Sequence, residues 1–455
     1  MKKIILLFGL LISANSLFAQ QDSLLKNFKF RINNFRAIGF NVTGGSKFEN
    51  PEFSGVIHKN SSSGGALGVT YYSTRSTDKI LLTALAGVYV SLSSARSSSP
   101  TEINKSRNIS SAPWLNILNK WFSHKMFTEL GADISSNLYS NKEVSSIYPA
   151  SSISKQTQYS IGINLGIGKG RLENITDMQN ALWLSKTLTA AGRIQGTLSA
   201  EDINGLGQSI TKGNNTRVLD ARKRAQFLLT TVDSFLHQKG LINKTDISYF
   251  SNLNDILFFA FNNSRFAGTE KYIRLTPAIT GWNNNDAQNN GIDKFKHRFN
   301  TQSLTLSPGF KKYIPSSLIH QNNYGAAVKL SYTFTDLADR YFINNVISNE
   351  KIKKTDLKQA GMSLFYEHGI YPNTRTALTF NLQLEAGYQD VGGSAGFYSL
   401  ANLSNNFSYF ISYHSRFSLT TGIDYQKNLI TVYQYLEQRP NNLRLYINGG
   451  LEINL

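Results

Sequence analysis

The chain reads as an all-β, antiparallel transmembrane β-barrel of about 14 strands (12–16), with a small α-helical subdomain inserted part-way along. Three observations predict it. Segment after segment alternates strictly between apolar and polar residues. The N-terminus has the layout of a secretory leader. No later apolar run is long enough to cross a bilayer as a helix. The clearest strand is the last. Leu443, Leu445, Ile447, Leu451, Ile453 and Leu455 fall on one parity, and Arg444, Tyr446, Asn448, Glu452 and Asn454 on the other. Strand side chains alternate faces, so this stretch has one apolar and one wet face. It is also long enough to span a membrane, since a tilted strand needs roughly 9–11 residues.

Lys2 and Lys3 precede an apolar run from Ile4 to Ile12, and a polar patch follows as far as Ala19. That order predicts a signal peptide over 1–19, cut after Ala19. Its apolar core is shorter than the roughly 20 residues of a spanning helix. A mature chain without such a helix can cross a membrane only as a closed barrel.

Composition narrows the function classes. With no cysteine, disulfides, thiolate nucleophiles and cysteine metal sites are excluded. There are 22 Tyr and 28 Phe against 4 Trp, a supply suited to the aromatic girdles of a barrel. The net charge is +18, from which the leader removes Lys2 and Lys3. The basic residues are scattered, so they predict solvated loops and contacts with anionic outer-membrane lipids rather than nucleic acid.

Other segments repeat the terminal pattern. Leu378, Phe380, Leu382, Leu384, Ala386 and Tyr388 alternate with Thr379, Asn381, Gln383, Glu385 and Gly387. Tyr159, Ile161, Ile163, Leu165 and Ile167 do the same, as do 328–334 and 417–425. Weaker strands are predicted at 35–44, 65–74, 79–92, 109–119, 125–138, 272–283, 294–313, 359–371 and 403–413. Short links at 73–78, 119–124, 314–317, 371–375 and 414–416 alternate with long polar ones at 46–64, 93–108, 140–156, 336–358, 389–402 and 426–442. Short periplasmic turns and long outer loops make that alternation. The expected organisation is therefore about six strands over 20–169, a helical insert over 170–271, and about eight strands over 272–455.

Within the insert, Thr176 is positioned to cap a helix ending before Gly192. Ser199-Ala-Glu-Asp202 resembles a capping box opening a short helix. Over 216–239, Val218, Ala221, Ala225, Leu228, Leu229, Val232, Phe235 and Leu236 form a helical stripe that Gly240 ends. A fourth helix follows Thr245, with Ile247, Phe250, Leu253, Leu257 and Phe261 on one side. Lys212-Gly-Asn-Asn215 reads as a link between two of these helices. The insert follows an inward-running strand, which places it in the periplasm.

These features together resemble porin-like outer-membrane proteins of Gram-negative bacteria: a leader ending Phe18-Ala19-Gln20, alternating strands, Asn/Ser/Gly-rich links and a terminal membrane strand. The resemblance is architectural and covers the mature chain apart from the insert. It implies an outer-membrane location after signal cleavage and delivery by the barrel-assembly machinery. It implies no cargo, and it leaves the oligomeric state open.

Enzyme chemistry has little support. Gly392-Gly-Ser-Ala-Gly396 matches the nucleophile-elbow pattern, but it lies between predicted strands, and no acid separates Ser394 from His414. Gly166, Gly168 and Gly170 occupy the polar parity of a strand, and no G-K-[ST] of a phosphate loop follows. The histidines form no metal-ligand pair, and no cofactor is expected. The candidate functional residues are instead the charges on polar strand positions: Glu129, Asp133, Lys329, Glu367, Glu385, Asp424, Arg444 and Glu452. Charge facing lipid at mid-membrane costs roughly 2–4 kcal/mol for Arg or Lys, so these residues should face the lumen. They either pair across the interior and fill it or line a wet pore. Porin-like passage or binding of small solutes is the leading expectation. The alternatives are a non-conducting barrel whose helical insert docks a periplasmic partner and, third, a barrel-borne lipid hydrolase.

Overall fold

The computed structural model describes residues 23–49, 52–53, 56–57, 59–99, 103–146, 151–194, 196, 198–216, 221–259, 265–288, 292–412, 415–427 and 442–453. The leader lies outside the described residues. Six long strands precede the helices: β1 (Ile32–Glu49), β2 (Lys59–Ser76), β3 (Ile80–Ser98), β4 (Ile103–Ser123), β5 (Met126–Ser145) and β6 (Ser151–Asn174). Eight follow them: β7 (Phe266–Gln288), β8 (Asp293–Pro315), β9 (His320–Ile343), β10 (Val346–Ile370), β11 (Thr376–Val391), β12 (Ser394–Ser412), β13 (Ser415–Lys427) and β14 (Asn442–Ile453). All fourteen join one antiparallel sheet in strict chain order. A two-residue hairpin, Glu52–Phe53 against Val56–Ile57, stands apart between β1 and β2.

The strands are longer than the apolar alternation alone indicates. Expected loops over 336–358 and 389–402 are mostly paired strand. β9 and β10 stay paired to Ile343 opposite Val346, across one register shift between Tyr341 and Phe342, with only Asn344 and Asn345 between them. Both adopt left-handed backbone (φ 51 and 63), the twist a two-residue hairpin requires and one that Asn tolerates. Gly392 and Gly393 (φ 53 and 92) make the equivalent turn between β11 and β12. Ladder pairing does not require apolar side chains, so these hairpins continue as paired sheet beyond the apolar band.

Within a central band the outward parity is apolar. Ile161, Ile163, Leu165 and Ile167 on β6, Ile273, Leu275 and Ile279 on β7, and Val328 and Leu330 on β9 are all exposed large hydrophobics. On a soluble protein a band of this kind would drive aggregation. In lipid it is the required surface. Phe40 (73%), Val42 (76%) and Ile447 (78%) are barer still than Leu165 (44%), because β1 and β14 each have a neighbour on one side only.

The register also shows strand tilt. Ladder partners followed from Val42 run through Leu67, Val90, Ser111, Leu138, Thr157, Asn283, Arg298, Ala338 and Ile352. They then leave the sheet, since the β10–β11 pairing starts only at Leu357. This stagger is what closure into a tilted barrel demands.

Four helices fill the insert: α1 (Thr176–Ala190), α2 (Ala200–Asn215), α3 (Ala221–Gln238) and α4 (Ile247–Phe259). Asn174 Oδ1, not Thr176, accepts the Thr176 amide at the start of α1. Ser199 Oγ caps α2 by accepting from the Asp202 amide, as the capping pattern predicts. That helix is longer than expected and contains Lys212–Asn215. Gly213 is needed there because a Cβ would sit 2.5 Å from Leu228 of α3. Asp246 caps α4 by accepting from the Tyr249 amide, and this bond holds its carboxyl below the usual carboxylate range. Tyr249, Leu253, Ile256 and Leu257 form the buried stripe of α4, whereas Ile247 and Phe250 of the expected stripe are exposed. Val218 and Phe261 lie outside the described residues.

The helical core is shared with the barrel. Leu25 and Phe28, from the lead-in to β1, and Leu318, from the β8–β9 turn, are buried in it. Arg265 is fully buried. It donates to Gln321 Oε1 (2.8 Å) and to the carbonyls of Leu318 (2.6 Å), Ser317 (2.9 Å) and His320 (3.0 Å). Asp255 of α4 pairs with Arg375 in the β10–β11 turn, and Gln208 of α2 donates to the Lys29 carbonyl. These anchors are spread around the rim of short turns, so the helical unit lies across that end of the barrel.

Two outcomes follow from this geometry. Closure is expected to join β1 to β14, because unpaired strand edges cannot persist in hydrocarbon. At the usual tilt of ~35–45°, inward Asn41 meets inward Asn448 or its inward neighbours Tyr446 and Gly450. The chain has no cysteine of its own. Asn41→Cys should therefore cross-link under oxidation with Cys placed at one of those three positions, and bridging only with Ile447→Cys would refute the face assignment.

The second outcome concerns Asp177, buried near the start of α1, where Thr211 and Asn214 donate to it. Burial pushes its carboxyl up to about 6. Between pH ~4 and ~6 the folded unit keeps a proton that the unfolded chain releases. Stability therefore falls as pH rises through that window, by up to ~3 kcal/mol. Helical melting followed by circular dichroism should show this decline, and Asp177→Asn should flatten it. An unchanged slope in the variant would remove Asp177 as its source.

Candidate functional site in the barrel lumen

Polar parity places charge inside the sheet, and the inward groups form two zones. Near the short-turn end, Glu129 of β5 accepts from Arg274 of β7 through both carboxylate oxygens (2.7 and 3.0 Å). Lys120 of β4 lies 3.3 Å from Glu129 and 2.6 Å from Glu270, and Arg274 also reaches Glu270 at 3.1 Å. Lys120, Glu129 and Glu270 are buried. Two cations and two anions on three strands thus close a ring of charge-assisted contacts against the wall. Its desolvation is tolerable only because each charge has a partner.

The second zone lies on β8 to β14, where a cavity of ≈ 1000 Å³ opens. Glu367, Glu385, Asp424 and Arg444 line it, with Lys311. Neutral groups hold the three carboxylates. Asn323 donates to Glu367 (2.6 Å), Tyr398 to Glu385 (3.0 Å) and Asn402 to Asp424. Gly325 makes room for this wall, since a Cβ there would meet the Phe365 ring at 2.4 Å. Arg444 sits opposite Asp424 in the ladder, with its guanidinium 5.9 Å from the Tyr446 ring.

Four of the eight charges predicted from sequence thus share one cavity, and Glu129 belongs to the ion ring. Asp133 accepts from Asn116 and from Asn164 (2.8 Å) further along the wall. Lys329 is exposed, with no ion pair among the described residues. Glu452 lies opposite Arg416 in the β13–β14 ladder, and its side chain is outside the described residues. Sequence reasoning missed Lys120, Glu270 and Arg274. Lys120 and Glu270 fall one or two residues beyond the strand limits that apolar alternation suggests. Carrying the parity of Asn116 onward to Lys120 would have found the first.

The Gly392–Gly396 segment is a hairpin turn leading into β12, not the strand-to-helix turn that a nucleophile elbow needs. His414 lies outside the described residues. Among those residues no group of three or more metal-ligating side chains is assembled.

No known family profile matches the chain, and no curated protein does. Solved structures resemble it in fold, three of which follow. One is the translocator domain of the autotransporter NalP from Neisseria meningitidis, at 9% identity over 91% of this chain and 91% of that one, with a TM-score of 0.23. The Pseudomonas putida toluene transporter TodX aligns at 10% identity over 86% and 83%, with a TM-score of 0.25. The CymD monoaromatic hydrocarbon channel aligns at 10% identity over 90% and 86%, with a TM-score of 0.21. The barrel assignment rests on the strand order, the register and the outward apolar face.

Breaking the ion ring should be costly. Glu129→Gln leaves Lys120 and Arg274 sharing one carboxylate in a dry site, and the loss should be ~3–5 kcal/mol. Glu350→Gln breaks the half-exposed Arg340 pair and should cost less than ~1 kcal/mol. Urea unfolding in lipid vesicles reports both. Equal midpoints for the two variants would mean that the ring contributes nothing to stability.

Proposed function

We propose that the protein sits in the outer membrane and passes or binds small solutes through its lumen. The observation that carries this reading is the ≈ 1000 Å³ cavity inside the sheet, where three carboxylates are held by neutral donors rather than by cations. A barrel filled for rigidity alone would pair such charges, as the Glu129 ring does. The helical unit across the short-turn end would shape the exit, and because short turns belong to the periplasmic side of such barrels, that end would face the periplasm. Planar-bilayer recording on the full mature chain tests the reading. Discrete conductance steps are expected, with larger steps for Asp255→Ala, which loosens α4 from the Arg375 turn. A closed bilayer for both proteins would refute passage.

The helical unit supports a second reading, a non-conducting barrel that presents a periplasmic docking domain. Its observation is the buried Arg265 junction, which fixes the unit to the rim. Silent bilayers combined with a tight periplasmic partner retained by the helical unit would favour it.

A further inference from the structure

The lumen has a second wall of different chemistry. Across β5 to β8 a cavity of ≈ 470 Å³ is lined by hydroxyls, amides and rings, among them Ser135, Asn137, Gln158, Ser160, Trp282 and Phe299, with no charged residue. Ladder pairing fixes the face. Ser135 lies opposite Ser160, Gln158 opposite Trp282, and Trp282 opposite Phe299. All share the inward parity of Asp133.

The ladder extends this surface to the next two strands. Trp114 of β4 is the partner of Ser135, and on its other side it faces Gly87. A Cβ at Gly87 would lie 2.8 Å from the indole, so glycine lets that ring lie against the wall. Tyr89 sits two residues on from Gly87, opposite Gly68. Although inward by parity, Trp114 (36%) and Tyr89 (47%) are substantially exposed, so their rings face open lumen rather than a packed core. At the far end the Trp282 ring packs against His297 (centroids 4.6 Å apart), which Asp339 holds. That contact fixes the indole in place.

We infer that this wall is a binding site for a neutral, polyhydroxylated ring compound, that is, an uncharged saccharide. The inference rests on the solute-binding reading above and names its substrate class. Each alternative class conflicts with the lining. A charged solute would give up hydration with no counter-charge to meet it. A hydrocarbon would suit the rings but leave the Ser, Asn and Gln groups unpaired when it displaced water. A saccharide meets both demands. The apolar face of its ring lies on Trp114, Tyr89 or Trp282, and its hydroxyls donate to and accept from Ser135, Asn137, Gln158 and Ser160. Rings joined to a few converging neutral polar groups are the usual make-up of a small-molecule site.

The test is calorimetric titration of the full mature chain in detergent with neutral glucose, galactose, mannose and xylose oligosaccharides of two to six units. Toluene and a uronic-acid oligomer serve as comparison probes. Saturable binding of at least one neutral series is expected, with toluene and the uronic acid bound at least 10-fold more weakly. Trp114→Ala and, independently, Gln158→Leu should each weaken the saccharide at least 10-fold. Trp121→Ala, whose ring faces outward, should not. Heat-modifiable gel migration confirms that each variant is folded. No saturable saccharide binding, or tighter binding of toluene or the uronic acid, overturns the inference, as does undiminished affinity in both lumen variants. Bilayer recording separates this outcome from the broader reading. Conductance without saccharide binding refutes the site alone, whereas saccharide binding in a silent bilayer keeps the site and refutes passage.

Discussion

The controlling constraint is the backbone in lipid. Inside hydrocarbon every N–H and C=O must be bonded within the chain, and a chain without a spanning helix can meet that demand only through continuous ladders. The remaining architecture follows from this. Strands joined in chain order need only short turns at one end. Continuous pairing sends one parity to lipid and the other to the lumen, and a charge within the lipid band must then lie on the inner parity. Each inward charge is left either to find a partner or to meet water, which is the division observed between the Glu129 ring and the Glu367–Asp424 wall.

The same constraint explains the helical insert. A hundred residues of irregular chain could not be inserted within a transmembrane ladder, so the unit leaves the sheet at a rim and forms a core of its own. It is not independent of the barrel, because Leu25, Phe28 and Leu318 belong to that core. Arg265 is the pivot of the junction. Its fork of donors satisfies a side-chain amide and three carbonyls of one turn, while its backbone amide donates to Thr176 at the head of α1. A lysine presents a point charge and could not meet that geometry.

Much of the fold was legible because membrane strands declare themselves twice, through period-two alternation and through turn chemistry. The alternation at 159–167 and 378–388 identified both strands and faces, and Gly192 and Gly240 ended helices with left-handed backbone as expected. The reach of the strands was not legible. Beyond the apolar band both parities become polar, and only pairing, invisible in one sequence, shows that 336–358 is a hairpin. The Gly213 link failed for a different reason. A glycine next to two asparagines signals a break unless a neighbour such as Leu228 occupies the space of its missing side chain. The charged wall was half legible, since parity places a side chain inside but cannot say which others it meets.

The ion ring and the helical unit, both at the short-turn end, are held with different strength, and that difference bears on how a lumen of this kind could open. The ion ring is dry, and its four charges are mutually dependent, so losing one partner strands another without water. The helical unit is held unevenly. On the Arg265 side it is locked by buried bonds and by Leu318 in its core. On the α4 side the Asp255–Arg375 pair is more than one-third exposed, and contacts of that kind contribute little. Removing the ring would disturb three strands of the wall, whereas lifting α4 from the β10–β11 turn would break the partly solvated Asp255–Arg375 pair. Physical chemistry therefore assigns the ring to the stability of the wall and leaves the α4 edge of the helical unit as the more weakly held of the two.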